Sequence, residues 1–559
     1  MIKTPTKQQQ IIFDFIEKGN SHGMIDAVAG SGKTSTLING LKLIDTNNKV
    51  LFCAFNKKIQ EEISSKTKEY GNVVVRTSYA LGLNILKYYS AKFNQKPSES
   101  KYYTLINETL KRKKDSWEFE VESSLTINFE RIRNIYYSLK EENEPDVFYK
   151  TFFSNFYSLV DLSRYTLSYG RGLQAFKELI FKYGIDVDSQ NIDLLDAYYN
   201  LIQDIIKVGI NSAVESGVYD FADMIFLPCY LKLKARSQYD IVLVDECQDL
   251  SNAQFKIIRK YLKEKGRFFA VGDPFQSIYG FAGASPKSFH NIKSVFRPQM
   301  FELTNCFRCA PEIIELAKDI RPDIQTKNEF KGKVQHINFD QIGDNARSGD
   351  YIISRYNAYL FDILFKLLEL NKKCKILGKS RILKELKLII PDNKLDNRNY
   401  YENLLYELEK ILEAAIKKFG KNPTYLNKLE NLRDSISIIS SCYIRSENLN
   451  TLRELFHYID GLMNGDDCDS IILSSIHKSK GLESDRVFII GYPDLPVKLE
   501  GMLDWQLYQE ECLKYVAITR AKKELFCCSK PSNDTDKQDI NSLDVGKCSL
   551  DDEIDNLPI

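Results

Sequence analysis

The sequence predicts an α/β protein with parallel sheets, broken twice by helical insertions. Short runs rich in Val, Ile and Phe alternate with helical periodicity near both ends of the chain, the pattern of strand–helix–strand units. Two long regions between them carry apolar residues at helical spacing and few strand signals. At 559 residues the chain exceeds one ordinary core and suits about three or four packed units.

Taken in order, strands are expected at residues 24–28, 50–54, 241–245, 268–272, 351–354, 471–474 and 486–490. The helical regions run from about 87 to 214 and from about 380 to 465. Within the second, helices are expected at 401–419 and 425–439, with Gly420 and Pro423 marking the break. The first α/β unit is thus expected in two parts, 1–86 and 215–302, around the insertion 87–214. The second is expected as 303–379 and 466–530, around a reduced insertion 380–465. The last stretch, 531–559, is polar and acidic and is expected to be disordered.

Composition narrows the class without choosing a function. Apolar residues at 43% and charged residues at 27% are the balance of a soluble globular protein. Lys+Arg 77 against Asp+Glu 76 leaves a net charge of +1, so any polyanion must be met by a local stripe of cations. No apolar run reaches the roughly 18 residues of a membrane span, and MIKTPTKQQQ lacks a signal-peptide layout. A cytoplasmic protein is expected, or a nuclear one in a eukaryotic host. Of twelve cysteines, only Cys306 and Cys309 form a CxxC pair, with no second close pair to complete a zinc ribbon. Reduced, buried thiols are the expectation.

The strongest local signal is AVAGSGKT at 27–34, between an apolar run and a helical one. Gly30 and Gly32 free the backbone to bring N–H groups to phosphates, with Ala29, Ser31 and Ser35 completing the cradle. Lys33 supplies a point charge for the β/γ-phosphates and the Thr34 hydroxyl can ligate Mg²⁺. The helix that follows adds its positive dipole end. IVLVDECQD at 241–249 ends an apolar strand in adjacent carboxylates. Asp245 is the candidate to hold Mg²⁺ through water, and Glu246 to orient or deprotonate the attacking water.

With DECQD in view, the segments along the chain resemble, in order, those of superfamily 1A helicases of the UvrD/Rep group. TKQQ at 6–9 resembles the Q motif, which implies that Gln9 reads the adenine edge. AFNK at 54–57 resembles motif Ia and implies DNA-backbone contact by Phe55, Asn56 and Lys57. TSYALGL at 77–83 resembles a T-x-H-[AS]-[LF]-G segment, with Tyr79 where histidine is usual. Thr77 and Tyr79 are therefore DNA-contact candidates of altered chemistry. DFADMI at 220–225 resembles the DFxDL stretch that leads into the carboxylate strand.

VGDPFQSIYGFAGA at 271–284 resembles motif III. There Gln276 is implied to sense the γ-phosphate, Tyr279 to pack near nucleotide or DNA, and Phe281 to replace a base-stacking Trp. LTNCFR at 303–308 resembles motif IV, with Arg308 as an arginine finger and Phe307 stacking on adenine. SRYN at 354–357 resembles an accessory segment, in which Arg355 is a candidate phosphate contact. SIHKSKGLE at 475–483 resembles motif V, implying His477 and Lys480 near DNA and Glu483 at the ribose. YVAITRA at 515–521 resembles motif VI, with Arg520 as the second finger. Its lead-in, QEEC at 509–512, departs from the usual Glu-Glu-Arg-Arg.

The wording is nearest the branch that holds F-box DNA helicases and small phage or viral relatives. The resemblance implies two RecA-like P-loop motor domains, each with a mainly helical insertion. It implies ATP and Mg²⁺ as cofactors, single-stranded DNA and its junctions with duplex as partners, and movement 3′ to 5′. Base stacking on aromatic rings suits such a motor because it tolerates any sequence. A stripping translocase that unwinds little, an inactive nucleic-acid-binding scaffold and an RNA track are the competing readings. KRKK at 111–114 reads as a solvated face or as a duplex-phosphate contact. The acidic C-terminus reads as a frayed tail or as a protein-docking tip.

Overall fold

The computed structural model describes residues 4–110, 123–139, 145–185, 187–188, 190–278, 280, 288–377, 394–419, 426–444, 449–462, 470–498 and 502–531. The chain divides into two compact units, residues 1–143 with 152–304, and residues 305–559 with 144–151. Tyr279, Phe281, the run 111–114, Gly420, Pro423 and the acidic tail after residue 531 lie outside the described residues.

The first unit is built on six parallel strands: β1 (Gly23–Ala27), β2 (Val50–Ala54), β3 (Val73–Thr77), β4 (Tyr239–Val244), β5 (Leu262–Gly272) and β6 (Gln299–Leu303). Their order is β3-β2-β4-β5-β1-β6. Apolar side chains cover both faces, as a parallel sheet requires. One face packs Leu37, Phe52, Leu243 and Val271, and the other packs Leu51, Val242, Val244 and Phe268. Helices α1 (Lys7–Lys18), α2 (Lys33–Gly40), α3 (Lys57–Lys66) and α4 (Ser78–Tyr89) alternate with the first three strands. Thr6 and Gln9 cap α1 reciprocally, which fixes where the chain enters the unit.

Between α4 and β4 the described residues hold helices and no strand: α5 (Lys101–Leu110), α6 (Ser124–Leu139), α7 (Pro145–Tyr165), α8 (Leu173–Tyr183), α9 (Ile192–Ser216) and α10 (Phe221–Tyr230). The DFAD run ties this helical region together. Asp220 and Asp223 form the capping box of α10, and both carboxylates also face Arg164 at 2.7 and 2.9 Å. Lys101 pairs with Asp223, and all three of Lys101, Arg164 and Asp223 are buried. α10 in turn packs on α4 so closely that a Cβ at Gly82 would collide with the Met224 carbonyl.

The second unit opens with a two-residue pair, β7 (Asn305–Cys306) and β8 (Gln325–Thr326). Its main sheet has six parallel strands: β9 (Lys333–Ile337), β10 (Tyr351–Ser354), β11 (Cys374–Ile376), β12 (Ile471–Ser475), β13 (Ser484–Ile490) and β14 (Ala521–Cys528). Their order is β11-β12-β10-β13-β14-β9. The helices Leu404–Phe419 and Leu426–Ile444 fall between β11 and β12, where helical spacing predicts them. Ile352, Leu364, Ile439, Leu473 and Phe488 belong to one continuous core, so the helical region packs onto the sheet rather than standing apart.

Candidate nucleotide-hydrolysis site

The glycine-rich turn follows β1 directly and hands the chain to α2. Gly30 and Gly32 take φ of 66° and 79°, and Gly32 is the residue that precedes the first helical turn. A side chain at either position would be strained whatever the space around it. The Ser31 hydroxyl donates to the Val28 carbonyl at 2.8 Å and closes the turn. Ala29, Ser31 and Lys33 are buried, Thr34 is half-buried and Ser35 is exposed.

β4 delivers its carboxylates to this turn. The Thr34 hydroxyl donates to Asp245 Oδ2 at 2.5 Å, and Lys33 Nζ lies 3.8 Å from Glu246 Oε1. Glu246 takes a left-handed φ of 51°, unusual for a residue with a side chain. Burial pushes the Asp245 carboxyl up to about 7, and the neighbouring Glu246 charge adds to the rise. The Thr34 hydrogen bond and Lys33 charge oppose it. The Glu246 N–H also donates to Asp245 Oδ1 at 3.0 Å, and a buried acid held by one N–H, one hydroxyl and a nearby ammonium is suited to a cation brought by a ligand.

A second layer of contacts holds these groups. Gln248 Nε2 donates to Glu246 Oε2 at 2.5 Å, while Gln248 Oε1 accepts from the Asp273 N–H at 3.1 Å. Asp273 accepts from Gln276 Nε2 at 2.7 Å. Glu246, Gln248, Asp273 and Gln276 are thus one chain running from β4 to the end of β5. Gln248 and Asp273 were visible in DECQD and VGDPFQ, but only the pairing of β4 with β5 joins them. Gln9 is buried beside the turn, with Nε2 donating to Thr36 at 3.2 Å and Oε1 accepting from the Thr6 N–H.

In the second unit the candidates gather around one carboxylate. Glu483 pairs with Arg308 Nε at 2.5 Å and with Lys522 at 3.0 Å. Burial raises its carboxyl, but the charges of Arg308, Lys522 and Arg520 outweigh that and leave it below its ordinary value. Arg308 Nη1 also donates to the Thr519 carbonyl at 3.2 Å. Phe307 is exposed. Arg520 is 1% exposed, and its guanidinium donates to the carbonyls of Val516 and Leu482 at 2.9 and 3.0 Å. In this conformation it is anchored in its own unit rather than displayed. Lys522 was not among the expected residues, because nothing in YVAITRAKK distinguishes it from a solvated lysine.

The nucleic-acid candidates are dispersed. Asn56 and Thr77 cap α3 and α4 with their side-chain oxygens. Lys57 is exposed and Phe55 half-buried. Tyr79 is half-buried, packed on the core and hydrogen-bonded to Tyr165. His477 and Lys480 are half-buried just after β12. Arg355 is engaged by Glu510, at 3.0 Å from Nε and 2.9 Å from Nη2, and Glu510 is itself buried. That carboxylate belongs to the lead-in where the sequence departs from its usual pattern.

A glycine-rich strand–turn–helix with a hydroxyl and a lysine, facing paired carboxylates on a neighbouring strand, defines a P-loop nucleoside-triphosphate hydrolase. The model of the UvrD/REP helicase N-terminal domain matches residues 6–297, more than half of the chain, which therefore belongs to that helicase family. The ATP-dependent DNA helicase Rep of Buchnera aphidicola subsp. Acyrthosiphon pisum (strain APS) is 23% identical over 91% of this chain and 93% of its own length. The putative ATP-dependent DNA helicase YjcD of Bacillus subtilis (strain 168) is 23% identical over 64% of this chain and 61% of its own length. F-box DNA helicase 1 of Gallus gallus is 27% identical over 53% of this chain and 30% of its own length.

Proposed function

We propose that this chain is an ATP-dependent DNA helicase that couples ATP hydrolysis to 3′-to-5′ movement along single-stranded DNA. The observation that carries the hydrolytic part is the meeting of Thr34 with Asp245 at 2.5 Å beside Lys33 and Glu246. Polarity and the single-stranded track rest on the resemblance of the motif set.

The donor set fits Mg²⁺ delivered with a nucleotide. Among the described residues no three His, Cys, Asp or Glu side chains converge as a cage. One hydroxyl and one buried carboxylate instead match an ion that keeps most of its waters and binds through substrate phosphates. Thr34 and Asp245 would hold Mg²⁺ there, and the ion would supply neutralisation of phosphate charge. Lys33 binds the phosphates in this reading, once it leaves Glu246. Glu246 orients and accepts a proton from the attacking water, and Gln248 keeps its carboxylate aimed. Gln276, held by Asp273, senses the γ-phosphate. Arg308 and Arg520 neutralise transition-state charge in this reading, and Glu483 meets the ribose.

The test is ATP hydrolysis with and without single-stranded DNA, for the unaltered chain and for Lys33→Ala and Glu246→Gln. Stimulation by DNA is expected, with loss of about 10³-fold or more in either variant. Unwinding of a 3′-tailed duplex but not a 5′-tailed one would then establish polarity. Hydrolysis that no nucleic acid stimulates would overturn the motor reading.

A further inference from the structure

Two thiols flank Arg308. Cys306 ends β7 and Cys309 follows three residues later; both are fully buried and neither is in a disulfide. The Cys309 N–H donates to Cys306 Sγ at 3.4 Å, and the two thiols interact. Interaction with the Cys309 side chain, joined by backbone hydrogen bonds from Cys309 and Arg308, lowers the Cys306 thiol to about 7, despite its burial. The same interaction, with burial, pushes the Cys309 thiol far up. At Cys53, Cys229, Cys247, Cys374, Cys527 and Cys528 burial pushes the thiol up instead. Thiolate character in this set is thus specific to Cys306, and it has a resolving partner beside it.

Arg308 stands between the two and shares their contacts. Its Nη1 donates to the Thr519 carbonyl, and the Cys309 thiol donates to the same oxygen at 3.8 Å. The Cys309 carbonyl accepts from Asn328 Nδ2 at 2.8 Å. We propose that Cys306 and Cys309 are a reversible peroxide-modification site whose disulfide displaces Arg308 and turns ATP hydrolysis off.

The chemistry balances in two steps. Cys306 Sγ attacks peroxide, an S–O bond forms, the O–O bond breaks, and the leaving hydroxide takes a proton to become water. Cys309 Sγ then attacks the sulfenic sulfur, the S–S bond forms, the S–O bond breaks, and a second water leaves with the Cys309 proton. Two thiols have lost two electrons and two protons, and one peroxide has become two waters. Entry of so small an oxidant needs only local opening, and β7 is held to β8 by two residue pairs. Closure to about 2.05 Å draws the two residues together and abolishes the thiol's bond to Thr519. Both changes act on the segment that carries Arg308. The effect on hydrolysis rests on the role given to Arg308 above; formation of the bond does not.

The experiment treats the full chain with graded hydrogen peroxide, maps the digested peptides by mass spectrometry and measures DNA-stimulated hydrolysis. The peptide spanning both cysteines is expected to lose two hydrogens while kcat falls about ten-fold or more, with recovery in dithiothreitol. Cys306→Ser and Cys309→Ala, each compared with its own untreated rate, are expected to resist peroxide. Three results would overturn the proposal: no bond at peroxide levels that oxidise other thiols, equal loss of rate in both variants, or a mapped bond with unchanged hydrolysis. If the untreated chain hydrolyses no ATP, the motor reading fails, and the peptide map still decides whether the bond forms.

Discussion

Asp245 and Thr34 are 211 positions apart, yet their side chains meet within hydrogen-bond distance. Each was readable from its own motif: GSGKT names the hydroxyl and a strand ending in DE names the acid. What no motif reveals is the chain of contacts behind them. Gln248 bridges Glu246 to the Asp273 backbone, so Gln248→Leu should leave Glu246 present but unaimed. A fall in kcat of about 10²-fold with little change in KM is expected, from steady-state hydrolysis with saturating DNA. An unchanged kcat would remove Gln248 from the positioning chain. Glu483 gives a pH test. Its carboxyl lies below its ordinary value in the fold, so the stabilisation is present above its unfolded value and is lost as pH falls through the folded one. Glu483→Gln should therefore lower the urea midpoint at neutral pH, with the gap closing below about pH 4. A gap independent of pH would mean that the charge contributes nothing.

At the scale of elements, the ion pairs explain how helices are held to sheets. Arg355, just past β10, meets Glu510 in the helix Asp504–Ile518, which leads to Thr519 and Arg520. Removing the cation strands a buried carboxylate, so Arg355→Ala should cost about 3–5 kcal/mol in denaturant unfolding. Adding Glu510→Gln should recover part of that loss; full additivity would mean that the pair is not coupled. Lys101 and Arg164 anchor the helical region to the cap of α10 in the same manner. Lys101→Met should likewise cost about 3–5 kcal/mol, because Asp223 is buried and loses one of its two cations. A loss of under about 1 kcal/mol in urea unfolding would show that Arg164 alone suffices. Strand recognition divides by position in the sheet. The expected strands were the continuous apolar runs, whereas β3, β6, β9 and β11 sit at sheet edges. β6 and β9 interleave polar with apolar residues, β3 has three valines before Arg76, and β11 has only three residues, so none offers a long apolar run. β14 lies inside the second sheet but opens on AKKE, which hides its apolar half.

For the whole molecule, a net charge of +1 leaves polyanion binding to local cations. Affinity for single-stranded DNA should therefore fall steeply with salt, by about 10-fold or more between 50 and 200 mM, in fluorescence-anisotropy titrations. A flat dependence would mean that stacking rather than phosphate contact dominates. No helix among the described residues is long and apolar enough to cross a membrane. The sequence by itself determined the alternation of strands and helices, the helices that fall between β3 and β4 and between β11 and β12, and the glycine-rich turn and strand-end carboxylates that meet at Thr34 and Asp245. Those features are local, set by periodicity, by glycine's access to positive φ and by the order of motifs along the chain. Only the tertiary structure decided the partners: Gln248 to Asp273, Arg355 to Glu510, Glu483 to Arg308 and Lys522, and Thr519 to both Arg308 and Cys309. A side chain's partner depends on which strands lie adjacent and which helices cover them, and the parallel order β3-β2-β4-β5-β1-β6 brings together residues that no short window contains.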